Sequence, residues 1–577
     1  MTKKVLIVGG VAGGASAAAR LRRVDEESEI VVFEKGDYIS FANCGLPYHI
    51  GGVIEERSDL LIQTPEAMED RFNLEVRVKQ EVVDIDPQQQ EVKVKNLVTD
   101  EIYIEDYDYL LLAPGAAPIK PPIPGIELQN IFSLRSIPDT DQIKEFVDQN
   151  QPQQAVVVGG GFIGLEMAEN LVERGVEVAV VEMSEQVMGS LDYEMAASVH
   201  NHLREQGVKL HLGDGVTEFS NQENEIMVKL ESEQELKADL VLLAIGVSPS
   251  AELAKQAGLE LGPTGGIKVN NYLQTSDEKN IYAIGDVIEV EDYVTKQPAH
   301  IPLAGPANKQ GRIAANNIAG RKEEYQGTQG TSILKIFDLT VATTGSNEER
   351  LADAGIDYQV SYTNSKSHAG YYPNATSMMI KLIFTPQDGK LLGAQIVGQR
   401  GVDKRIDVLA TALRYQKTVY DLQELELAYA PPFGSAKDPV NMAGYVAGNI
   451  LNGDVEVIQW HQVDELGEDV ILLDVREEVE LKFGALEGAV NIPLNSLRDR
   501  LDELDQEMEI IVYCAVGLRG YLASRILTQQ GFKQVKNLSG GYKLYREVEL
   551  DRVEKVPSAE EEKLSTASNP EEAKVLD

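Results

Sequence analysis

Two cysteines are the only thiols in the chain, and each lies in a segment suited to sulfur chemistry. Cys44 sits in Ser40-Phe-Ala-Asn-Cys-Gly-Leu-Pro-Tyr48, where Asn43 and Gly45-Leu-Pro make a tight, polar turn rather than an apolar core run. Cys514 follows the apolar run Ile510-Ile-Val-Tyr513 and opens a six-residue loop that closes at Arg519. Such a loop can wrap its backbone N–H groups around one sulfur as an anion nest, with Arg519 adding positive charge and Gly517 permitting the curvature. Two glycine clusters point to phosphate: Val5-Leu-Ile-Val-Gly-Gly-Val-Ala-Gly-Gly14, followed by Glu34, and Ala155-Val-Val-Val-Gly-Gly-Gly-Phe-Ile-Gly164, followed by Glu182. A helix N-terminus offers unpaired N–H groups and the positive end of its dipole to a pyrophosphate, and a carboxylate about 20 residues on can accept from a ribose hydroxyl. Gly159, Gly161 and Gly164 keep the full G-x-G-x-x-G spacing; the first loop keeps Gly9 and Gly14 but has Val11 in the middle position, where the backbone approaches a pyrophosphate less closely.

The elements that must hold these groups are legible from hydrophobic runs. Val5–Val8, 30–33 and 178–181 read as buried strands, and 109–115 (Y-L-L-L-A-P-G) resembles 240–246 (L-V-L-L-A-I-G), as a duplicated nucleotide-binding fold requires. Lys3 and Lys4 before an apolar stretch imitate a secretion signal, but the ordered strand, glycine turn and helix favour nucleotide binding. The segment 275–286 reads as a strand running into Gly-Asp, with Asp286 placed to hold a sugar-alcohol hydroxyl. Residues 328–447 alternate strands and helices without a phosphate loop, Asn452-Gly-Asp454 marks a linker, and a further unit spans 456–550. The end of the chain, 551–577, reads as a disordered acidic tail.

Composition narrows the function. With 53 Lys+Arg against 93 Asp+Glu the net charge is −40, which disfavours nucleic acid and anionic membrane surfaces. Two cysteines exclude a disulfide framework or a Cys-rich metal centre, no metal is expected, and a reducing cytoplasm is the natural compartment. No uninterrupted apolar run is long enough to span a bilayer.

On these motifs residues 1–447 resemble the pyridine nucleotide–disulfide oxidoreductases, and the segment around Cys44 resembles the single-cysteine active site of coenzyme A disulfide reductases. Residues 456–550 resemble a rhodanese domain through Leu472-Leu-Asp-Val-Arg476, Gly488-Ala-Val-Asn-Ile-Pro493 and Cys514-Ala-Val-Gly-Leu-Arg-Gly520. The combination resembles coenzyme A disulfide reductase–rhodanese fusions, including NADH-dependent persulfide or polysulfide reductases. The resemblance implies an α/β chain: an FAD-binding domain of 1–118 and 255–327, an NAD-binding domain of 119–254, both Rossmann-like, an α+β dimerisation domain of 328–447, and an α/β rhodanese domain of 456–550. It implies FAD contacts at Gly9, Gly10, Ala12, Gly13, Gly14, Glu34, Lys35, Val83, Ala113, Asp286, Ala304 and Phe433. NAD contacts fall at Gly159, Gly161, Phe162, Ile163, Gly164, Glu182 and Gly246.

Relatives similar to glutathione reductase pair two cysteines, but the corresponding positions here are Ile39 and His49. Cys44 must therefore take its redox partner from outside: a bound thiol, a persulfide sulfur, or oxygen as sulfenic acid. The histidine of sulfenic-acid-cycling relatives aligns with Ala12, and the C-terminal His-Glu pair is replaced by Tyr429-Ala-Pro-Pro-Phe-Gly434. Tyr371, with Tyr372 as a rival, and Tyr429 are implied to approach Cys44 from a partner subunit in a homodimer. Coenzyme A is implied at Ser16, Arg20, Arg23, Ser40, Asn43 and Asn308; a family lysine aligns with Phe72, and Arg71 beside it can supply that charge. Arg20 and Arg23 share one helix face. In the cycle so implied, NADH reduces FAD, Cys44 takes sulfur from a disulfide, persulfide or polysulfide, and Cys514 delivers sulfane sulfur. Glu182 favours NADH, with NADPH as a second donor. The rival readings are an NADH oxidase, and a sulfurtransferase or sulfur-trafficking protein.

Overall fold

Strands covered on both faces carry continuous apolar runs, and Val5, Leu6 and Ile7 are wholly buried within the strand Lys4–Val8. The structure, a computed structural model, describes residues 3–222, 225–275, 278–467 and 469–554. They fall into two compact units, Met1–Glu185 with Gly207–Gly330 and Gln186–Gln206 with Thr331–Asp577.

The first unit is duplicated. One five-stranded parallel sheet runs in the order Ile281–Ala283, Tyr109–Leu112, Lys4–Val8, Glu29–Glu34, Glu75–Val78. The other runs Lys209–Leu212, Glu177–Glu182, Gln154–Val158, Leu240–Leu243, Ile131–Ser133. Each has a three-stranded antiparallel companion, Gln80–Asp86 to Ile102–Asp106 and Val216–Gln222 to Glu235–Ala238. The strand expected over 275–286 is shorter: only Ile281–Ala283 pairs with Tyr109–Leu112, and Gly285, at φ 77°, turns the backbone into the 3-10 segment Gly285–Val287. Positions 276 and 277 lie outside the described residues. Helix Gly13–Val24 lies along helix Ala304–Ile318, so closely that a Cβ added to Gly311 would stand 2.4 Å from the Gly13 carbonyl oxygen.

The second unit holds an antiparallel sheet ordered Ser332–Ile336, Leu339–Gly345, Leu391–Gly398, Ser377–Phe384, Gln359–Lys366. Helices Val402–Arg414 and Pro439–Leu451 share its core. The C-terminal sheet is parallel, ordered Glu456–Ile458, Val535–Leu538, Glu509–Tyr513, Val470–Asp474, Val490–Asn491. Its last helix, Gly541–Glu554, packs on helix Tyr193–Glu205. There the fully buried Asp551 accepts from Tyr193 at 2.7 Å, from the Arg204 guanidinium at 2.8 Å and from His200 Nδ1 at 3.0 Å. The Val187 N–H donates to His200 Nε2 at 3.1 Å on the other side of the ring. This corrects the expected tail: 551–554 belong to a packed helix, because Asp551 is a structural carboxylate, and 555–577 lie outside the described residues.

A second buried charge cluster orders the same unit. The Lys381 ammonium, fully buried, meets Asp192 at 2.7 Å, Glu194 at 2.5 Å and Glu348. These three carboxylates lie close enough together to hold a cation, and the ammonium occupies their centre. No helix among the described residues is long and apolar enough to cross a membrane.

Candidate active sites

The two glycine loops are built alike. Gly9 has φ 100°, Gly159 has φ 109°, and a Cβ at either would stand within 2.4 Å of a backbone oxygen, that of Ala113 or Ala244. Gly14 and Gly164 each press on the carbonyl of the loop's first glycine, at 1.9 and 2.0 Å for an added Cβ. Glu34 accepts the Gly10 N–H at 2.9 Å and the Gly36 N–H at 2.8 Å; Glu182 accepts those of Gly160 at 2.7 Å and Ser184 at 2.8 Å. Each carboxylate is thus fixed at the end of its strand beside a phosphate loop. Helices Gly13–Val24 and Phe162–Glu173 both begin with neither a side-chain cap nor an acidic residue in the first turn. Their terminal N–H groups suit phosphate, and the cradles therefore fit two dinucleotides.

The remaining expected nucleotide contacts distribute around these loops. Gly13 packs on Ile284 and on the Ala307 carbonyl, which brings the Gly285–Asp286 turn and the start of helix Ala304–Ile318 to the first loop. Ala12 holds φ 38° at the helix cap. Lys35 is exposed beside Glu34, and Val83 lies on the antiparallel strand Gln80–Asp86. Gly246 turns with φ 109°, and Phe162 and Ile163 open the second helix. Phe433 belongs to the other unit and is exposed.

Cys44 is exposed on the 3-10 segment Asn43–Gly45, which runs into helix Leu46–Gly51. Its surroundings are acidic. Partial burial, then the carboxylates of Glu166 and Asp286, push its thiol up. Glu166 itself is pushed up to about 7 by burial and by Glu169, and it accepts a hydrogen bond from Tyr48 at 3.3 Å. Asp286 is raised by burial against the opposing charges of Arg135, 3.8 Å away, and His300. The Asn43 side-chain oxygen is buried without a hydrogen-bond partner among the described residues. Glu166 escaped the sequence reading, although it follows the second glycine loop directly.

Of the residues expected to meet coenzyme A, Ser16, Arg20 and Asn308 lie along the seam between helices Gly13–Val24 and Ala304–Ile318. Ser16 bonds Asn308, and Arg20 Nε donates to Asn316 at 2.9 Å. Arg312 lies one turn from both Asn308 and Asn316, on the same helix face. Burial and the like charges of Arg312, Arg321 and Arg23 lower the Arg20 guanidinium, while Glu323, which bonds Asn316, opposes them. Arg23 lies 5.9 Å over the Phe72 ring, and Arg71 is exposed in the last turn of helix Pro65–Phe72. Ser40 holds φ 46°, and its N–H donates to Gly10. Arg312 and Arg321 were missed because they lie about 300 residues from the glycine loop.

In the second unit the hydroxyls of Tyr371 and Tyr429 are 2.8 Å apart, both on exposed side chains. Tyr372 instead stacks edge-on against His368, so the structure couples Tyr371, not its neighbour, to Tyr429.

Cys514 differs in character from Cys44, being only 1% exposed. The Gly517 N–H donates to its sulfur at 3.1 Å, and the N–H groups of Tyr542 and Lys543 brace the carbonyls of Cys514 and Ala515. The loop is shorter than expected: Gly517, at φ 111°, starts helix Leu518–Gln529, so Arg519 lies in its first turn. Its guanidinium does not stand free but grips Glu480 at 2.6 and 2.7 Å.

Comparison with known proteins places these sites in context. Residues 3–311 match the family described as pyridine nucleotide-disulphide oxidoreductase, 331–439 its dimerisation domain, and 460–547 the rhodanese-like domain. A coenzyme A disulfide reductase of Staphylococcus haemolyticus is 38% identical over 449 residues, 78% of this chain and 100% of that protein. The crystal structure of reduced Bacillus anthracis CoADR-RHD is 54% identical, with TM-score 0.94, covering 96% of this chain and 99% of that one. An NAD-dependent persulfide reductase from A. fulgidus is 40% identical, with TM-score 0.89, covering 94% and 99%. The chain belongs to the pyridine nucleotide-disulphide oxidoreductases and carries a rhodanese-like domain at its C-terminal end.

Proposed function

We propose that the chain is an FAD-dependent NADH reductase of coenzyme A-linked or polymeric sulfur, working as a homodimer through Cys44 and supplied with sulfane sulfur by Cys514. The observation that carries this reading is the exposed Cys44, set near two carboxylates and an Asn43 oxygen unpartnered among the described residues, in a chain with two nucleotide cradles. We assign FAD to 1–118 with 255–327, held by the first glycine loop and Glu34, and NAD to 119–254, held by the second loop and Glu182. When bound, FAD supplies two-electron transfer between nicotinamide and sulfur. The protein's own groups do the rest. The Cys44 thiolate attacks the sulfane or disulfide sulfur, and the departing thiolate takes a proton. Glu166, poised near neutrality, can give that proton, which the absent histidine at Ala12 cannot.

The Arg20, Arg23, Arg312 and Arg321 cluster supports a phosphorylated thiol, since its cations outnumber the Glu323 carboxylate that opposes them and favour a further anion there. Such a patch has no use in an NADH oxidase, although a water-forming NADH oxidase from Lactobacillus brevis is 26% identical with TM-score 0.75. The dimerisation domain and the exposed Tyr371–Tyr429 pair support a homodimer in which the phenols serve the partner's thiol. The two unpaired thiols suit a reducing cytoplasm. The test is sulfide release from coenzyme A persulfide with NADH: Cys44→Ser is expected to abolish it, and Arg312→Ala to raise KM for coenzyme A substrates while sparing glutathione persulfide.

A further inference from the structure

We propose that Glu480 sets the donor specificity of the rhodanese site: by neutralising Arg519 it selects organic persulfides over the thiosulfate dianion. This rests on the reading of Cys514 as the sulfur acceptor and is independent of what Cys44 reduces.

Arg519 is the cation that interacts with the Cys514 sulfur. A dianionic donor would need that charge uncompensated, yet both guanidinium arms are spent on the two oxygens of Glu480. A two-point pair of this kind is directional and strong. Glu480 is also anchored by the Glu477 N–H at 2.9 Å, so it cannot swing away without losing three hydrogen bonds. The Arg519 guanidinium holds the Glu480 carboxyl below its usual range, which keeps the pair ionised at neutral pH. Its neighbours Glu477 and Glu478 are exposed and add negative charge. The nearby Arg476 is equally committed, buried against Asp474 at 2.6 Å. Exposed Lys543 remains, but it reaches the loop through its backbone N–H.

The segment around the sulfur is meanwhile apolar. Ala515 and Val516 lie in the loop, and Leu518, the first residue of the helix, is 60% exposed. Next to Glu480 in the chain, Val479 is 57% exposed. A carbon chain carrying one terminal persulfide suits this rim better than a compact dianion. In the transfer, the Cys514 thiolate attacks the outer sulfur of R–S–SH. The S–S bond of the donor breaks with its electron pair on R–S⁻, which takes the proton, and Cys514 is left as a persulfide. The sulfane sulfur keeps its oxidation state, so no oxidant is consumed. From thiosulfate the leaving group would be sulfite.

The experiment uses the full-length protein with glutathione persulfide and thiosulfate as donors and cyanide as acceptor, reading thiocyanate. Wild type should prefer the persulfide, and Glu480→Gln should shrink that preference by on the order of tenfold through a gain on thiosulfate. An unchanged or larger preference, or equal losses on both donors, would overturn the proposal. A wild-type measurement stands beside it, free of folding effects: thiosulfate turnover should be nearly flat in ionic strength, and a steep fall with salt would reveal an uncompensated cation and refute it. If Cys514→Ser matches wild type on both donors, the acceptor reading fails and the role of Glu480 falls with it; loss of transfer in Cys514→Ser with an unchanged preference in Glu480→Gln overturns the role of Glu480 alone.

Discussion

At Cys44 the physical demand is a thiolate, and the surrounding protein groups oppose it. Burial and two carboxylates push the thiol up, so a bound group or cation must offset them when the site works. Replacing Glu166 with Gln removes one of those charges. Alkylation of Cys44 in the cofactor-free protein should then quicken at neutral pH, as the thiol moves down. An ionisation near pH 7 in the wild-type kcat/KM profile should disappear in the same variant. Because the folded state binds the Glu166 proton more tightly than the unfolded chain, stability should decline as pH rises from about 4.5 to about 7, and Glu166→Gln should flatten that decline in denaturant titrations. Residue type and local spacing exposed the two cysteines, Glu34 and Glu182. They could not expose Glu166 or Glu480, whose roles come from partners 118 and 39 residues away, Tyr48 and Arg519.

Among the elements, the parallel strands and their glycine turns were legible because apolar runs and G-x-G-x-x-G spacing are local signals. The end of the last helix was not. Acidic residues and sparse aromatics after 550 imitate a solvated tail, while Asp551 is tied down by groups of a helix some 350 residues earlier. Asp551→Ala should leave His200, Tyr193 and Arg204 without their acceptor and cost about 3–5 kcal/mol, read as a lower denaturation midpoint. Its carboxyl is held down to about 2, against an ordinary value of 3.8. The stability it contributes is therefore present above about pH 4 and should be lost as pH falls from about 4 to about 2, a loss the variant should lack. The Arg519 correction has the same origin: a helix that starts at Leu518 re-aims a side chain that a longer loop would have left free.

For the whole molecule, the duplicated cradles, the dimerisation domain and the rhodanese-like domain make one chain that binds two nucleotides and presents two different thiols. If Tyr429 serves the partner's Cys44, mixing Cys44→Ser with Tyr429→Phe subunits should restore about a quarter of wild-type activity, because half of the dimers are mixed and each has one intact site. No recovery would place the phenol and the thiol within one chain's own site. Glu182 should make NADH the more efficient donor in steady-state comparison with NADPH. The most direct test of the account is anaerobic turnover of coenzyme A persulfide, with NADH consumed and sulfide released followed together. Equimolar sulfide and NADH in the wild type, with neither change in Cys44→Ser, is the predicted result; sulfide release that survives the loss of Cys44 would contradict it.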